Sequence, residues 1–390
     1  MILYNGKLYT VDKYGTEAEA VAIRDGRIIK VGTSKEVLEL AHEDTTKIDL
    51  MGKLLLPGFI DTHEHCIRKG LQLDWVNCAS MKSLEEILIG LQAKAASKNP
   101  GEWVIGSWFD ETQWSDKRFP NRHDLDKAST KHPIYLGRAG GHNAVANTMA
   151  LELAGINKET PQPPGGNIER DENGKPTGRL DELAAMDLVR ELFPKPTPEE
   201  EVEILAENWP ILEEMYLSWG LTSIHEAHIK APQALAYQKL DREKKLNIRI
   251  GLMLDGMTPY NGYATSDLAR QGLRTPFKWS DRLRVVSVKV GTDGAMGSLT
   301  AALHEDYAND PGNKGIIRCT REELVDEVTR CHVAGIQVCI HAIGDRAIDL
   351  SLDAIEEAKK AKPWEDHRHR IEHAGYVLPR QLKRIKELGV

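Results

Sequence analysis

The chain has 390 residues, 41% hydrophobic and 28% charged, with a formal net charge of −8. That balance belongs to a globular protein large enough to bury a core without disulfide or metal staples, and it excludes disorder, coiled coil and collagen. An acidic chain with no block of basic residues is a poor binder of nucleic acid or anionic membranes, and no apolar run reaches the ~18 residues of a membrane helix. The start, Met1-Ile2-Leu3-Tyr4-Asn5-Gly6, has neither the basic nor the long apolar region of a secretory signal. Cys66, Cys78, Cys319, Cys331 and Cys339 are scattered, odd in number and without a CxxC pair, which reads as reduced thiols and a cytoplasmic location.

The first ~55 residues read as β. Ala20–Ile23 and Arg27–Val31 flank Asp25-Gly26, the signature of a tight hairpin. Leu54–Leu56 is an apolar run, Pro57-Gly58 a turn, and Phe59–His63 a short buried strand. The stretch of roughly 70–210 is less regular and reads as an insertion. Within it, Ser83-Leu84-Glu85-Glu86 is a capping box ahead of a helical period through Ala95. Trp103–Gly106 and Ile134–Leu136 read as strands, and Asn167–Leu180 as a hairpin around Asn173-Gly174. From Thr197-Pro198 onward helix and strand alternate. Strands are expected at Leu221–His225, Asn247–Leu252, Val285–Val290, Ile336–His341 and Arg368–His373. Helices start at Thr197, Thr320, Ala347 and Pro379. This βα order calls for a parallel sheet or barrel, an α/β fold.

Polar groups at strand ends carry the chemical argument, because residues at the carboxyl ends of barrel strands converge on one face. The strands here end in His63 and His65, in Lys289, in His341 and in His373. Two imidazoles two residues apart on a strand point the same way and can chelate one ion. His63 and His65 read alternatively as histidines of a polar loop, Lys289 as a salt-bridged lysine, and His341 and His373 as satisfied buried histidines. His225 also ends a strand and reads as a pocket wall or as filler. His142 and Asn147 lie in the insertion and could line a pocket or stabilise a turn. Asp293-Gly294 fits turn chemistry as well as a site. Trp103, Trp108, Phe109 and Trp114 suit either a core or an apolar pocket. Cys66, beside the histidine pair, reads as a small buried residue.

Five segments together resemble the amidohydrolase superfamily, and within it the amidohydrolase-3 branch that includes N-substituted formamide deformylase. They are Leu55–His65, Gly140–Asn147, Lys289–Gly294, His341–Asp345 and Arg370–Ala374. The resemblance runs the length of the chain. It implies a (β/α)8 TIM-type barrel over 57–390, with residues 1–56 forming half of a small β-sandwich. It implies metal ligands at His63, His65, Lys289, His341 and His373, with one or two divalent ions, Zn2+ or a similar ion. The strand-four lysine in much of the superfamily carries a carbamate, which needs a neutral amine and hence burial near cations. His142, His225, Asp293, Asp345 and Glu372 are expected near substrate or behind the ligands, Glu372 and Asp345 as orienting groups.

The family's strand-eight aspartate, which takes the proton from water, has no counterpart here, nor do strands seven and eight. The sequence is therefore expected to be a piece of a longer chain. The function implied is metal-assisted hydrolysis of a C–N bond in an amide or formamide-like small molecule. Cyclic-amide or deaminase chemistry on the same scaffold, or an inactive metal-binding barrel, are the alternatives. A homo-oligomer is open.

Overall fold

A computed structural model describes all residues except 116, 164–165, 257–274, 298 and 309. The described residues fall into two compact units, Met1–Asp61 with Tyr216–Ile224, and Thr62–Met215 with His225–Val390. No described helix is long and apolar enough to cross a membrane.

The first unit is built from short strands in two sheets of four and three strands. Ala20–Arg24 pairs antiparallel with Arg27–Gly32, as the Asp-Gly signal predicts. Asp25 and Gly26 both take positive φ (52° and 70°), the backbone that a two-residue hairpin turn needs. Thr33 caps the helix Ser34–Leu38 with a full capping box, and Ile2, Ala20, Ala22 and Val37 form the local core.

The largest sheet has seven strands. We number its strands β1 (Phe59–Glu64), β2 (Leu221–Ile229), β3 (Arg249–Asp255), β4 (Leu283–Gly291), β5 (Val338–Ala342) and β6 (Arg370–His373). They lie side by side in sequence order, with Phe277–Lys278 added antiparallel to β4. The β3–β4, β4–β5 and β5–β6 pairs are parallel. Helices Arg321–Ala334 and Asp345–Ala361 alternate with these strands, and Val288, Val290, Leu324, Val328, Ile340 and Ile355 pack between them. Thr320 caps the first of these helices with the Thr/Glu box, and Gly335 ends it in the left-handed conformation at φ 77°. This is an α/β fold whose strands follow one another in sequence order, as the expected barrel requires.

Two local expectations need correction. The run Phe59–His63 does form a strand, but Phe59 and Ile60 are 55% and 60% exposed rather than buried. β1 lies at the end of the described sheet order. At Ser83 only half of the capping box forms. Ser83 Oγ accepts from Glu86 N at 3.2 Å, while Glu86 Oε2 accepts from Lys82 N at 2.8 Å instead of closing back on Ser83.

Residues 76–181 form a separate six-stranded sheet with its own apolar clusters. Trp103, Phe109 and Trp114 are buried there as core, whereas Trp108 is exposed and takes a φ of 68°, strained for a bulky residue. Asn147 is the structural knot of this region. Its buried side chain accepts from Ile134 N and Ala150 N (both 2.9 Å) and donates to His132 O (3.0 Å) and Ser129 O (3.2 Å). Asn147 is thereby the N-cap of the helix Thr148–Leu153.

Three of the 14 histidines are structural in a different way. His332, His367 and His369 are buried at the amino ends of β5 and β6, at the opposite strand ends from His341 and His373. Their six ring nitrogens are all used. His332 Nε2 donates to Lys362 O (2.7 Å) and His367 Nε2 to Leu388 O (2.8 Å). His369 Nδ1 accepts from Val338 N (3.0 Å) and His367 Nδ1 from His369 N (2.9 Å). These fix His369 Nε2 as the donor to His332 Nδ1 (2.8 Å). The pattern closes only if all three rings are neutral.

Candidate metal centre

Four strands deliver the sequence-predicted donors to one end of the large sheet. His63 sits in β1, and His65 just past its end, where it leads into the helix Cys66–Gln72. Their rings are 5.3 Å apart between centroids. His341 lies in β5 and His373 closes β6, with rings 4.7 Å apart, and His373 is 4.8 Å from His63. Alternation along β6 puts Arg370 and Glu372 on one face and His373 on the other. A φ of 73° at His373 ends the strand and lets its ring join the group.

Lys289, in β4, is 2% exposed, and its Nζ has no hydrogen-bond partner among the described residues. Burial lowers its pKa to about 8 against the opposing pull of the Glu372 carboxylate. Burial, the His341 ring and the Lys289 charge press His373 down to about 4. His65 is lowered by burial, then by His63 and Lys289. His65 and His373 are therefore neutral at pH 7, the state in which an imidazole can donate a lone pair to a metal.

Glu372 anchors the group from behind. Its Oε2 makes a short contact with His63 Nδ1, and its Oε1 pairs with Arg370 Nη2 at 2.7 Å, at an angle too poor for a hydrogen bond. Burial opposes its ionisation, but the His63 bond and the charges of Arg370 and Lys289 outweigh it and hold the pKa at about 2. A metal bond from His63 would then use Nε2, because Nδ1 is committed to Glu372. His341 Nε2 lies 2.9 Å from Gly294 O and 3.4 Å from Asp293 Oδ1, which leaves Nδ1 as its donor atom.

The remaining expected residues divide. Asp293 is fully buried and accepts from Ala302 N (3.0 Å), Ile343 N (3.0 Å) and Gly344 N (2.8 Å), so it stitches the loops after β4 and β5 around His341. Burial works against its charge, but His341 and these amides hold its pKa below the usual range. Asp345 accepts from His304 N at 2.9 Å and from Arg346 N at 2.8 Å at its helix start; no described contact joins it to the ring group. His225, in β2, faces Arg370 Nη1 at 3.4 Å across the room left by Gly251, where a Cβ would meet the His225 ring at 2.7 Å. His142 Nδ1 is 3.0 Å from Glu182 Oε2, and its ring lies against Gly297 in the loop after β4, where a Cβ would fall 2.8 Å away.

Two groups escaped the sequence reading. Glu226, 1% exposed in β2, accepts from Cys66 N (2.5 Å) and Ile67 N (3.3 Å), and so holds the chain immediately after His65. Burial pushes its pKa up to about 7. The signal was a carboxylate one residue past a histidine expected to end its strand. The other is Arg370, two residues before Glu372 and hence on its face of β6.

Among the described residues no three His, Cys, Asp or Glu side chains already stand at metal-binding geometry. The donors are neighbours, not an assembled coordination sphere. In donor type they still suit a divalent cation, and the Lys289 amine, without a hydrogen-bond partner among the described residues, is the group that such a centre would engage.

The model of the amidohydrolase family matches residues 46–390. The chain is 32% identical to N-substituted formamide deformylase of Arthrobacter pascens, covering 100% of this chain and 71% of that protein. It is 31% identical to Protein LONG AFTER FAR-RED 3 of Arabidopsis thaliana, covering 100% of this chain and 67% of that one. A crystal structure of an uncharacterized metal-dependent hydrolase from Pyrococcus furiosus superposes with a TM-score of 0.71 at 30% identity, over 100% of this chain and 75% of that one.

Proposed function

Since the chain belongs to the amidohydrolase family, we propose that it hydrolyses the C–N bond of an amide or formamide-like small molecule. The divalent cation, Zn2+ or a similar ion, would be held by His63, His65, Lys289, His341 and His373. The N-substituted formamide deformylase relative supports the formamide end of that range.

One observation carries the reading: a buried lysine amine with no hydrogen-bond partner among the described residues, beside four clustered imidazoles. An unpaired buried ammonium is costly, so a protein that keeps one has a use for it. With its pKa at about 8, on the order of a tenth of Lys289 is free amine at pH 7. A neutral amine can attack CO2, forming an N–C bond and releasing one proton. The resulting carbamate offers anionic oxygen to a hard or borderline cation in place of an orphaned charge.

When bound, the cation supplies Lewis acidity, lowering the pKa of water toward ~7 and polarising a carbonyl. The chain's own residues supply the rest. Glu372 sets the His63 tautomer and ring angle. Asp293 holds the loops after β4 and β5 in register around His341. Glu226 pins the turn that follows His65.

The test is metal analysis of the purified protein, chelator dialysis, and turnover of N-formyl, N-acyl and cyclic amides before and after Zn2+ is restored. Dialysis is expected to abolish cleavage and Zn2+ to return it, with a mass increase of one carboxylate on Lys289. If the metal-loaded protein cleaves none of these amides, the reading fails.

A further inference from the structure

Arg370 touches three strands around the histidine group. Its Nη2 donates to Thr62 O of β1 at 3.0 Å and pairs with Glu372 Oε1 of β6 at 2.7 Å. Its Nη1 lies 3.4 Å from His225 Nδ1 of β2. A guanidinium can do this because its donors form a rigid planar fork; a lysine ammonium is a point charge that cannot reach all three at once. Thr62 immediately precedes His63, and Glu372 holds the His63 ring, so Arg370 grips His63 from its backbone side and, through Glu372, from its ring side. His225, expected to end its strand, lies in the middle of β2 and faces this guanidinium.

We infer that Arg370 is a positioning residue, which fixes the tautomer and orientation of His63 through Glu372 and the placement of β1 through Thr62 O. The inference rests on the metal-centre reading above. Removing the guanidinium leaves Thr62 O without this donor and Glu372 without its nearest counter-charge. The carboxylate is then free to swing off His63 Nδ1. Loss of such a partner behind a metal ligand typically costs ~10–100-fold in metal affinity. Arg370 is partly exposed, so this loss does not require loss of the fold.

The experiment compares the whole wild-type chain with R370M and R370K. Zn2+ affinity is measured by competition with a chromophoric chelator, and the His63 tautomer by 15N shifts of histidine-labelled, metal-free protein. Wild type is expected to hold His63 with the proton on Nδ1. R370M is expected to show a mixture of tautomers and a ~10–100-fold weaker Zn2+ affinity at an unchanged urea midpoint, and R370K to recover part of both. If R370M keeps the wild-type tautomer and binds Zn2+ within about twofold of wild type, Arg370 does not position His63. Should R370M not fold, the R370K tautomer ratio decides in its place. A wild type that binds no Zn2+ would sink the metal-centre reading instead, and the tautomer comparison would still judge Arg370.

Discussion

Acidification should attack this fold at the amino ends of β5 and β6, far from the candidate centre. There His332, His367 and His369 form a hydrogen-bonded set that closes only with neutral rings. A proton added to His369 Nδ1 would point at Val338 N–H, and one added to His332 Nδ1 would point at His369 Nε2–H. No acidic group bonds these rings. Asp366 favours charge on His367, while Lys359 opposes it on all three and Lys362 on His332. Burial, then the two neighbouring rings, press His369 from 6.5 down to about 2. The sign follows from proton counting. Below pH 6.5 the unfolded chain protonates this imidazole and the native state does not, so stability falls as pH falls. Two pH units at about 1.4 kcal/mol each make His369 alone responsible for a loss of about 2–3 kcal/mol between pH 7.5 and 4.5. That is a large part of a typical 5–15 kcal/mol of stability, roughly. Urea unfolding at pH 7.5, 6.5, 5.5 and 4.5 reads the effect. The H369Q variant keeps an amide donor and acceptor at the site but does not titrate, so its curve should be flatter by that amount. If the wild-type and H369Q curves run parallel to within about 0.5 kcal/mol, the neutral-ring argument is wrong.

Two further substitutions probe the framework. Asn147→Ala removes four hydrogen bonds, one of them the N-cap of the helix Thr148–Leu153, and should cost on the order of 3–5 kcal/mol in urea unfolding; a loss under about 1 kcal/mol would mean that water or a shifted loop satisfies those groups. Gly344→Ala would place a Cβ 2.0 Å from Ala302 O, in the loop that Asp293 ties to His341. It should lower stability by about 1–3 kcal/mol and weaken Zn2+ binding together; an unchanged Zn2+ affinity would separate that loop from the centre.

Much of the architecture could be read from neighbours in the chain. The Asp25-Gly26 turn, the Thr197 and Thr320 helix starts and the stops at Gly220, Gly335 and Gly389 depend on groups within a few residues of each other. So do the apolar runs of β2 to β5, and the spacing of His63 and His65. Such signals are local energies, and a sequence displays them directly.

Tertiary structure decided what depends on distant partners. Nothing local marks Glu372 as the group on His63, 309 residues away, or Glu226 as the acceptor for Cys66 N, 160 away. The sequence singles out His341 and His373 as strand-end donors, but nothing local shows that His332, His367 and His369 bond one another. Parallel strands place His332, His367 and His369 at one end of the sheet, where they bond one another, and His341 and His373 at the other, in the candidate centre. The exposed start of β1 has the same origin. An apolar run specifies a strand by its own pattern, but its burial depends on the layers that the rest of the chain lays over it.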